Sequence, residues 1–244
     1  MKKIILIIRS TMFFILFMIT AIIFCISAVF TSILPSVVTF TTARIWCRSV
    51  MFLLKVCCGM KYKVTGLENI PADEHVIFAS KHQSAWETFS YQIFLRPCVF
   101  MYKRELAYIP LFGIAMVKTK NIPVNRGHGS KEMIKKLRSS FAKRLKKYSV
   151  IIFPEGTRTK PGTEPAYKSG LSLIIQGLKD TKVVPVAMNS GVYWPKHGFI
   201  KHPGTIEIHI LPAIKPSDYS RDEFQEKLVN TIETEQAKLP LKPC

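Results

Sequence analysis

The sequence predicts an α/β domain, with a mixed, mostly parallel sheet of about seven strands flanked by helices and preceded by an N-terminal membrane-embedded helical segment. Three observations support this fold class. From about residue 60 onward, short apolar runs alternate with segments of helical periodicity. Most of the short runs are apolar throughout, which is typical of parallel strands buried on both faces. The stretch from Ser10 to Ala43 contains no charged residue.

This uncharged stretch is too long for one straight transmembrane helix. It would extend about 50 Å at 1.5 Å per residue, against a hydrocarbon core of about 30 Å, and Pro35 marks a break. Two arrangements stay open: a span near Met12–Leu34 followed by a surface helix near Ser36–Cys57, or a hairpin that dips into one leaflet and returns. Basic residues flank both ends, which favours the hairpin because positive flanks tend to stay cytoplasmic. They are Lys2, Lys3, Arg9, Arg44, Arg48 and Lys55. A cleaved signal peptide fits poorly, because the run is too long and lacks a cleavage site.

Residues 1–58 are therefore expected to form a membrane-anchoring segment, and residues 59–244 the α/β domain. The net charge of +19 indicates an anionic partner. Membrane lipid headgroups suit the apolar anchor, whereas no nucleic-acid module or interleaved aromatic pattern is present. The six cysteines form no Cys-x-x-Cys pair and have no histidines at metal-ligand spacing. We expect reduced thiols and no metal site.

Strands and helices alternate along the second segment. The predicted strands are Tyr62–Thr65, Val76–Ser80, Val99–Tyr102, Asn121–Val124, Val150–Phe153, Val183–Met188 and Thr205–Leu211. The last one alternates apolar and polar residues, which predicts one wet face or an edge position. The predicted helices are Ser130–Tyr148, Lys168–Leu178 and Asp222–Leu239. The first of these carries a basic face, which is either solvated or meets anionic lipid or an acidic acyl carrier.

Lys81–Glu87, with the sequence KHQSAWE, is the most informative segment. It follows a buried strand and precedes a helix, so His82 in the turn and Glu87 in the first helical turn can meet. A carboxylate on one ring nitrogen raises the basicity of the other nitrogen, which makes the pair able to take a proton from an alcohol. A second interpretation is a capping box, with Ser84 as N-cap and Glu87 reaching back from N3. Both interpretations stay open at this level.

A second polar cluster, Phe153–Arg158 (FPEGTR), ends another buried strand. Gly156 permits a tight turn or the close approach of a ligand. Arg158 offers a planar fork of donors for a phosphate or carboxylate, although an exposed ion pair between Glu155 and Arg158 is the simpler alternative. Because ligands bind at the carboxyl ends of strands in open α/β sheets, the two clusters are expected to share one site.

The two clusters together resemble the glycerolipid acyltransferases, in particular the bacterial 1-acylglycerol-3-phosphate acyltransferases. The resemblance extends from about Tyr62 to Ile210, and the Glu-Gly-Thr-Arg element is its most specific part. Further matches are Pro110–Gly113 with Ile122–Arg126, which resemble the second block, and Val183–Ala187, which resembles the fourth. Two departures are Glu87, where the family usually has Asp, and Asn125, where an acidic residue often precedes the arginine.

The resemblance implies acyl transfer from a thioester, either acyl-CoA or acyl-carrier protein, to the hydroxyl of lysophosphatidic acid, giving phosphatidic acid. It implies His82 as general base and Glu87 as its orienting acid. Arg158, Arg126 and Thr157 would bind the substrate phosphate, and Glu155 and Gly156 would shape the pocket. No metal or bound cofactor is required, and amides at the start of the helix after Ser84 are candidates for the oxyanion.

The same resemblance implies a protein of the bacterial inner (cytoplasmic) membrane with its catalytic domain facing the cytoplasm. Its expected partners are the two substrates, membrane lipids and an acyl carrier protein, with no nucleic acid. Alternatives are an acyltransferase for glycerol-3-phosphate or another lysophospholipid, a lipid hydrolase, and a membrane-anchored basic binding protein without turnover.

Overall fold

The computed structural model describes residues 2–95, 97–109, 112–124, 130–163, 165–178 and 180–243. Within these residues seven strands form one sheet in the order β1-β7-β6-β2-β5-β3-β4. The strands are β1 (Met60–Thr65), β2 (Ile77–Ser80), β3 (Cys98–Lys103), β4 (Ile122–Val124), β5 (Ser149–Ile152), β6 (Val183–Met188) and β7 (Gly204–Ile210). Each lies within two residues of its predicted bounds. Five neighbouring pairs are parallel and only β6–β7 is antiparallel, so the predicted mixed, mostly parallel sheet is confirmed.

Helices cover both faces of the sheet. They are α1 (Lys2–Phe30), α2 (Ser36–Cys58), α3 (Trp86–Phe94), α4 (Phe112–Lys118), α5 (Lys131–Leu145), α6 (Ser169–Gln176), α7 (Ser190–Tyr193) and α8 (Arg221–Gln236). One face packs on α1, α2 and α3, and the other on α5, α6 and α8. In β2, Phe78 points into the first core while Ile77 and Ala79 point into the second. The central strands are apolar at every position because both of their faces are buried.

The alternating strand β7 lies inside the sheet, between β1 and β6. Ile206, Ile208 and Ile210 are buried, while Glu207 and His209 are partly exposed on the opposite face. Of the two predictions for this strand, one wet face is therefore correct and the edge position is wrong. β1 occupies the edge of the sheet and pairs in parallel with the side of β7 that faces away from β6.

The N-terminal helices form an antiparallel hairpin. A short 3₁₀ turn, Thr31–Ile33, ends α1, and Pro35 precedes the first residue of α2, so the predicted break is confirmed. The rings of Phe24 and Trp46 stack with centroids 4.5 Å apart. At the open end, the Arg9 Nε donates to the carbonyl of Cys57 at 2.6 Å.

Both helices are long and apolar enough to cross a membrane. The spans are Lys3–Phe30, with mean hydropathy 2.8, and Ser36–Cys58, with mean hydropathy 1.3. An outward stripe of α1 is exposed and apolar; it includes Ile4, Ile8, Ile15, Ile19, Ile22 and Ile26. This face suits lipid contact. The placement of the hairpin in a bilayer and the cytoplasmic orientation stay predictions.

The inner face of the hairpin belongs to the core of the α/β domain. Phe13, Val50 and Leu54 are buried in one cluster with Val186 and Ile208 of the sheet. The segment is therefore packed along the domain rather than tethered to it by a linker. The five described cysteines are unpaired, and four of them are buried.

Candidate active site

The two polar clusters meet at the carboxyl end of the sheet. β2 and β5 are parallel neighbours, with Phe78 opposite Ile151, so the loops that follow them lie side by side. The Thr159 amide donates to the His82 carbonyl at 2.7 Å. The imidazole of His82 stacks on the ring of Phe153 with centroids 3.9 Å apart. The expected proximity of the two loops is thus present in the structure.

His82 and Glu87 form a direct pair, with 2.5 Å between Nδ1 and Oε2. The Glu87 side chain is fully buried, while 15% of the His82 side chain is exposed. Because an ionised carboxylate can only accept, the proton of this bond belongs to Nδ1 and the lone pair to Nε2. This is the tautomer that a general base requires.

The second oxygen of Glu87 holds the turn itself. Oε1 accepts the amides of Gln83 and Ser84 at 2.9 and 2.7 Å, together with the hydroxyl of Ser190. The predicted capping box is incorrect in detail, because Ala85 occupies the N-cap position and the Ser84 hydroxyl accepts from the Trp86 amide. Glu87 nevertheless accepts the Ser84 amide and also pairs with His82, so the same carboxylate holds the turn and orients the imidazole.

Lys81 and Glu155 form a buried ion pair directly behind His82. Their side chains are 1% and 0% exposed, with 2.9 Å between Nζ and Oε1, and Lys81 also pairs with Glu233 of α8 at 2.8 Å. The other oxygen of Glu155 accepts the His82 amide at 2.8 Å. Burial raises the pKa of the Glu155 carboxyl, while the Lys81 ammonium and the His82 amide act in the opposite direction. Glu155 therefore pairs with Lys81, and not with Arg158 as in the simpler alternative.

Arg158 lies beside this network with its side chain unengaged. Within the residues that the structure describes, its guanidinium forms no hydrogen bond or ion pair, and the residue is partly buried. Its carbonyl accepts from Lys196 Nζ at 2.8 Å, and Lys196 also donates to the Thr157 hydroxyl at 3.3 Å. Gly156 adopts a positive φ of 70°, which favours glycine in this turn. The loop thus carries an arginine whose guanidinium has no partner among the described residues, and the backbone of this loop is bonded to that of His82 through the Thr159 amide.

The acyltransferase family model matches residues 61–189, just over half of the chain and both clusters. The chain belongs to the acyltransferase family.

Two relatives of this acyltransferase have the same enzyme name. The 1-acyl-sn-glycerol-3-phosphate acyltransferase of Pseudomonas aeruginosa is 43% identical over 171 residues, covering 69% of this chain and 65% of that protein. This chain therefore spans just under two thirds of that relative. The protein of the same name from Borreliella burgdorferi is 29% identical over 192 residues, covering 72% of this chain and 73% of its own.

The fold is also that of a solved acyltransferase. The crystal structure of the 1-acyl-sn-glycerophosphate (LPA) acyltransferase from Thermotoga maritima superposes with a TM-score of 0.72 at 22% identity. The match covers 96% of this chain and 98% of that one, so it includes the N-terminal helices. At this identity the likeness establishes the shared fold.

Some predicted site residues of this acyltransferase cannot be placed. Arg126 lies outside the described residues, as do Pro110, Leu111 and Asn125 of the second block. Two of the amides after Ser84 that are candidates for the oxyanion have partners in the structure: the Trp86 amide donates to Ser84 Oγ, and the Thr88 amide to the Ala85 carbonyl. The oxyanion role stays a prediction.

Three residues of the site escaped the sequence reasoning: Lys81, Ser190 and Lys196. Lys81 directly follows β2, and Ser190 lies two residues after the end of β6, so the rule on carboxyl ends of strands could have identified both. Lys196 gave no local signal, since it is one of 35 basic residues and lies in a long loop.

Proposed function

We propose that this protein transfers a fatty acyl group from an acyl thioester to the free hydroxyl of lysophosphatidic acid, giving phosphatidic acid for phospholipid synthesis. The observation that carries the proposal is the His82–Glu87 pair, in which His82 Nε2 has no partner among the described residues. Arg158, on the adjoining loop, also has no side-chain partner within that part of the chain. An imidazole base and a phosphate-binding cation on adjoining loops suit an acceptor that is both an alcohol and a phosphate ester. The names of the Pseudomonas and Borreliella relatives support the same substrate.

In the proposed reaction His82 Nε2 accepts the proton of the acceptor hydroxyl as its oxygen attacks the thioester carbonyl carbon. A new C–O bond forms and the C–S bond breaks, and the proton passes from Nε2 to the departing thiolate. Glu87 keeps Nδ1 protonated and stabilises the imidazolium between the two steps. General-base catalysis of this kind contributes about 10²–10⁴-fold. The thioester already carries an activated acyl group, so the reaction needs no resident cofactor.

Arg158 is proposed to bind the acceptor phosphate through two parallel hydrogen bonds, with Thr157 and Arg126 as further donors. Glu155 and Gly156 shape this pocket from behind. Glu155 accepts the His82 amide, and Gly156 supplies the turn of positive φ that precedes Arg158.

The hairpin of residues 1–58 is proposed to hold the enzyme at the bacterial inner membrane with its catalytic domain facing the cytoplasm. Both lipids of the reaction partition into the bilayer, so an enzyme at the interface meets them at high local concentration. The exposed apolar stripe of α1 and the net charge of +19 support contact with an anionic membrane surface.

The decisive experiment incubates the full-length protein in phospholipid vesicles with lysophosphatidic acid and either acyl-CoA or acyl-carrier protein. Phosphatidic acid should form with at least one donor, and comparison of the two rates identifies the donor. Parallel assays contain glycerol-3-phosphate, lysophosphatidylcholine or no acceptor. Release of free fatty acid without an acceptor would instead mark a hydrolase, and no turnover with any acceptor would leave only a binding role.

A further inference from the structure

Ser190 is a buried serine that touches the acid of the catalytic pair. It is 0% exposed and begins α7, just after β6. Its hydroxyl donates to Oε1 of Glu87, the oxygen that also accepts the amides of Gln83 and Ser84. The next residue, Gly191, donates its amide to the side-chain oxygen of Gln83 at 3.1 Å. A third strand-end loop is thus tied to the His82 turn at two points.

The sheet register explains why these loops meet. β6 runs parallel to β2 with Val186 opposite Ser80, so the chain leaving β6 emerges beside the chain leaving β2. The approach is close enough to require glycine, since a Cβ on Gly191 would lie 2.8 Å from the Cβ of Gln83. Val183–Ala187, which resembles the family's fourth block, forms most of β6. This strand therefore places Ser190 and Gly191 against the turn that contains His82.

Three donors on one oxygen restrict how the carboxylate can turn. Glutamate has one more rotatable bond than aspartate, so its carboxylate needs more restraint to present one oxygen to an imidazole. With Oε1 held by two amides and a hydroxyl, Oε2 remains as the oxygen that faces His82 Nδ1. The amides belong to the same turn as His82, whereas Ser190 is the restraint that comes from a different strand-end loop.

We propose that Ser190 is a positioning residue for acyl transfer: its hydroxyl fixes the Glu87 carboxylate and thereby aims His82 Nε2 at the acceptor hydroxyl. This role rests on the proposed function, since it is exerted through the proposed base. Ser190 does not touch the substrate, and no covalent chemistry is assigned to it.

The kinetic test compares Ser190→Ala with Ser172→Ala in the full-length protein. Ser172 is also buried, at 4% exposure, and donates to Gln225 on the far side of the sheet, so it controls for loss of a buried hydroxyl. We expect Ser190→Ala to lower kcat about tenfold, the size expected for one hydrogen bond to a charged group, with the KM of both substrates unchanged. Ser190→Cys, which keeps a weak donor, should fall between parent and alanine variant. A kcat equal to that of Ser172→Ala would overturn the proposal.

A spectroscopic test needs no substrate. In protein labelled with nitrogen-15 at histidine, the His82 ring signals are assigned by their loss in His82→Gln. They should move in Ser190→Ala and stay in place in Ser172→Ala. Unmoved His82 signals together with a lower unfolding temperature would make Ser190 a purely structural residue. If the parent protein fails to acylate any acceptor while the signals still move, the proposed function is wrong and the link from Ser190 to His82 stands.

Discussion

The carboxylate of Glu155 accepts the backbone amide of His82 at 2.8 Å, which joins the loops after β5 and β2 through a main-chain atom. The position of the imidazole thus depends on a residue of the FPEGTR cluster, 73 positions further along the chain. Lys81, next to His82, pairs with the other oxygen of the same carboxylate. The two motifs are therefore structurally coupled, and we expect a substitution in either one to change the position of the His82 imidazole.

His82→Ala removes the proposed base. We expect kcat to fall by about 10²–10⁴-fold, because the acceptor hydroxyl would lose its proton without assistance. Folding should persist, since Oε1 of Glu87 keeps its three donors. Initial rates of phosphatidic acid formation and the unfolding temperature check the two parts. Activity near the parent level would reject the role of His82.

Glu87→Gln and Glu87→Asp separate charge from size. If the glutamine oxygen faces the three donors, its NH₂ group faces His82 Nδ1, and the proton then moves to Nε2. This wrong tautomer is expected to lower kcat by about 10²–10⁴-fold. Glu87→Asp keeps the charge and should retain much more activity than Glu87→Gln. A fully active but less stable Glu87→Gln would show that the carboxylate only holds the turn.

Arg158→Ala should act on the acceptor alone. Loss of charge-assisted hydrogen bonds to a phosphate is expected to lower kcat/KM for lysophosphatidic acid by about 10–100-fold, with the KM of the thioester unchanged. Arg221→Ala is the matched control, because Arg221 is exposed and pairs only with its neighbour Asp222 within the described residues. Equal effects of the two substitutions would contradict a phosphate site at Arg158.

Glu155→Gln should change the dependence of stability on pH. Burial raises the folded-state pKa of Glu155, so the folded state holds the proton more tightly than the unfolded chain does. The stability from this group is fully present below the ordinary glutamate pKa and is lost as pH rises through the folded-state value. The stability of the parent relative to Glu155→Gln should therefore decrease as pH rises from acid to neutral. Urea unfolding of both proteins at several pH values measures the difference, and an opposite slope would show that the Lys81 pair dominates.

Removal of residues 1–58 should unfold the remainder rather than release a soluble enzyme. Val50 and Leu54 are completely buried against the sheet, so truncation would expose the first core over a wide area. We expect residues 59–244 to aggregate without detergent and to lose a cooperative unfolding transition. A soluble, cooperatively folded fragment would show that the hairpin is only an anchor. The control is the full chain purified in the same way.

Periodicity and residue chemistry were sufficient for the strand and helix pattern, because buried strands and one-sided helices leave patterns that depend only on local spacing. They were not sufficient for the place of β7, since an alternating strand with one wet face can lie inside a sheet or at its edge. α3 begins after Ser84 as predicted, but the capping-box interpretation places its N-cap one residue too early. The N-cap is Ala85, and the Ser84 hydroxyl accepts the amide of Trp86, the first residue of the helix.

The sequence by itself determined the α/β class, the break at Pro35, and which residues are proposed as base, acid and phosphate-binding cation, because these depend on residue type and spacing along the chain. Only the tertiary structure decided that Glu155 pairs with Lys81, that Lys196 supports the Arg158 loop, and that Ser190 reaches Glu87. The residues in these contacts lie 74, 38 and 103 positions apart along the chain, respectively. The strand order of the sheet brings these distant residues together. Local sequence patterns do not specify that order, so they cannot predict which strand ends become neighbours.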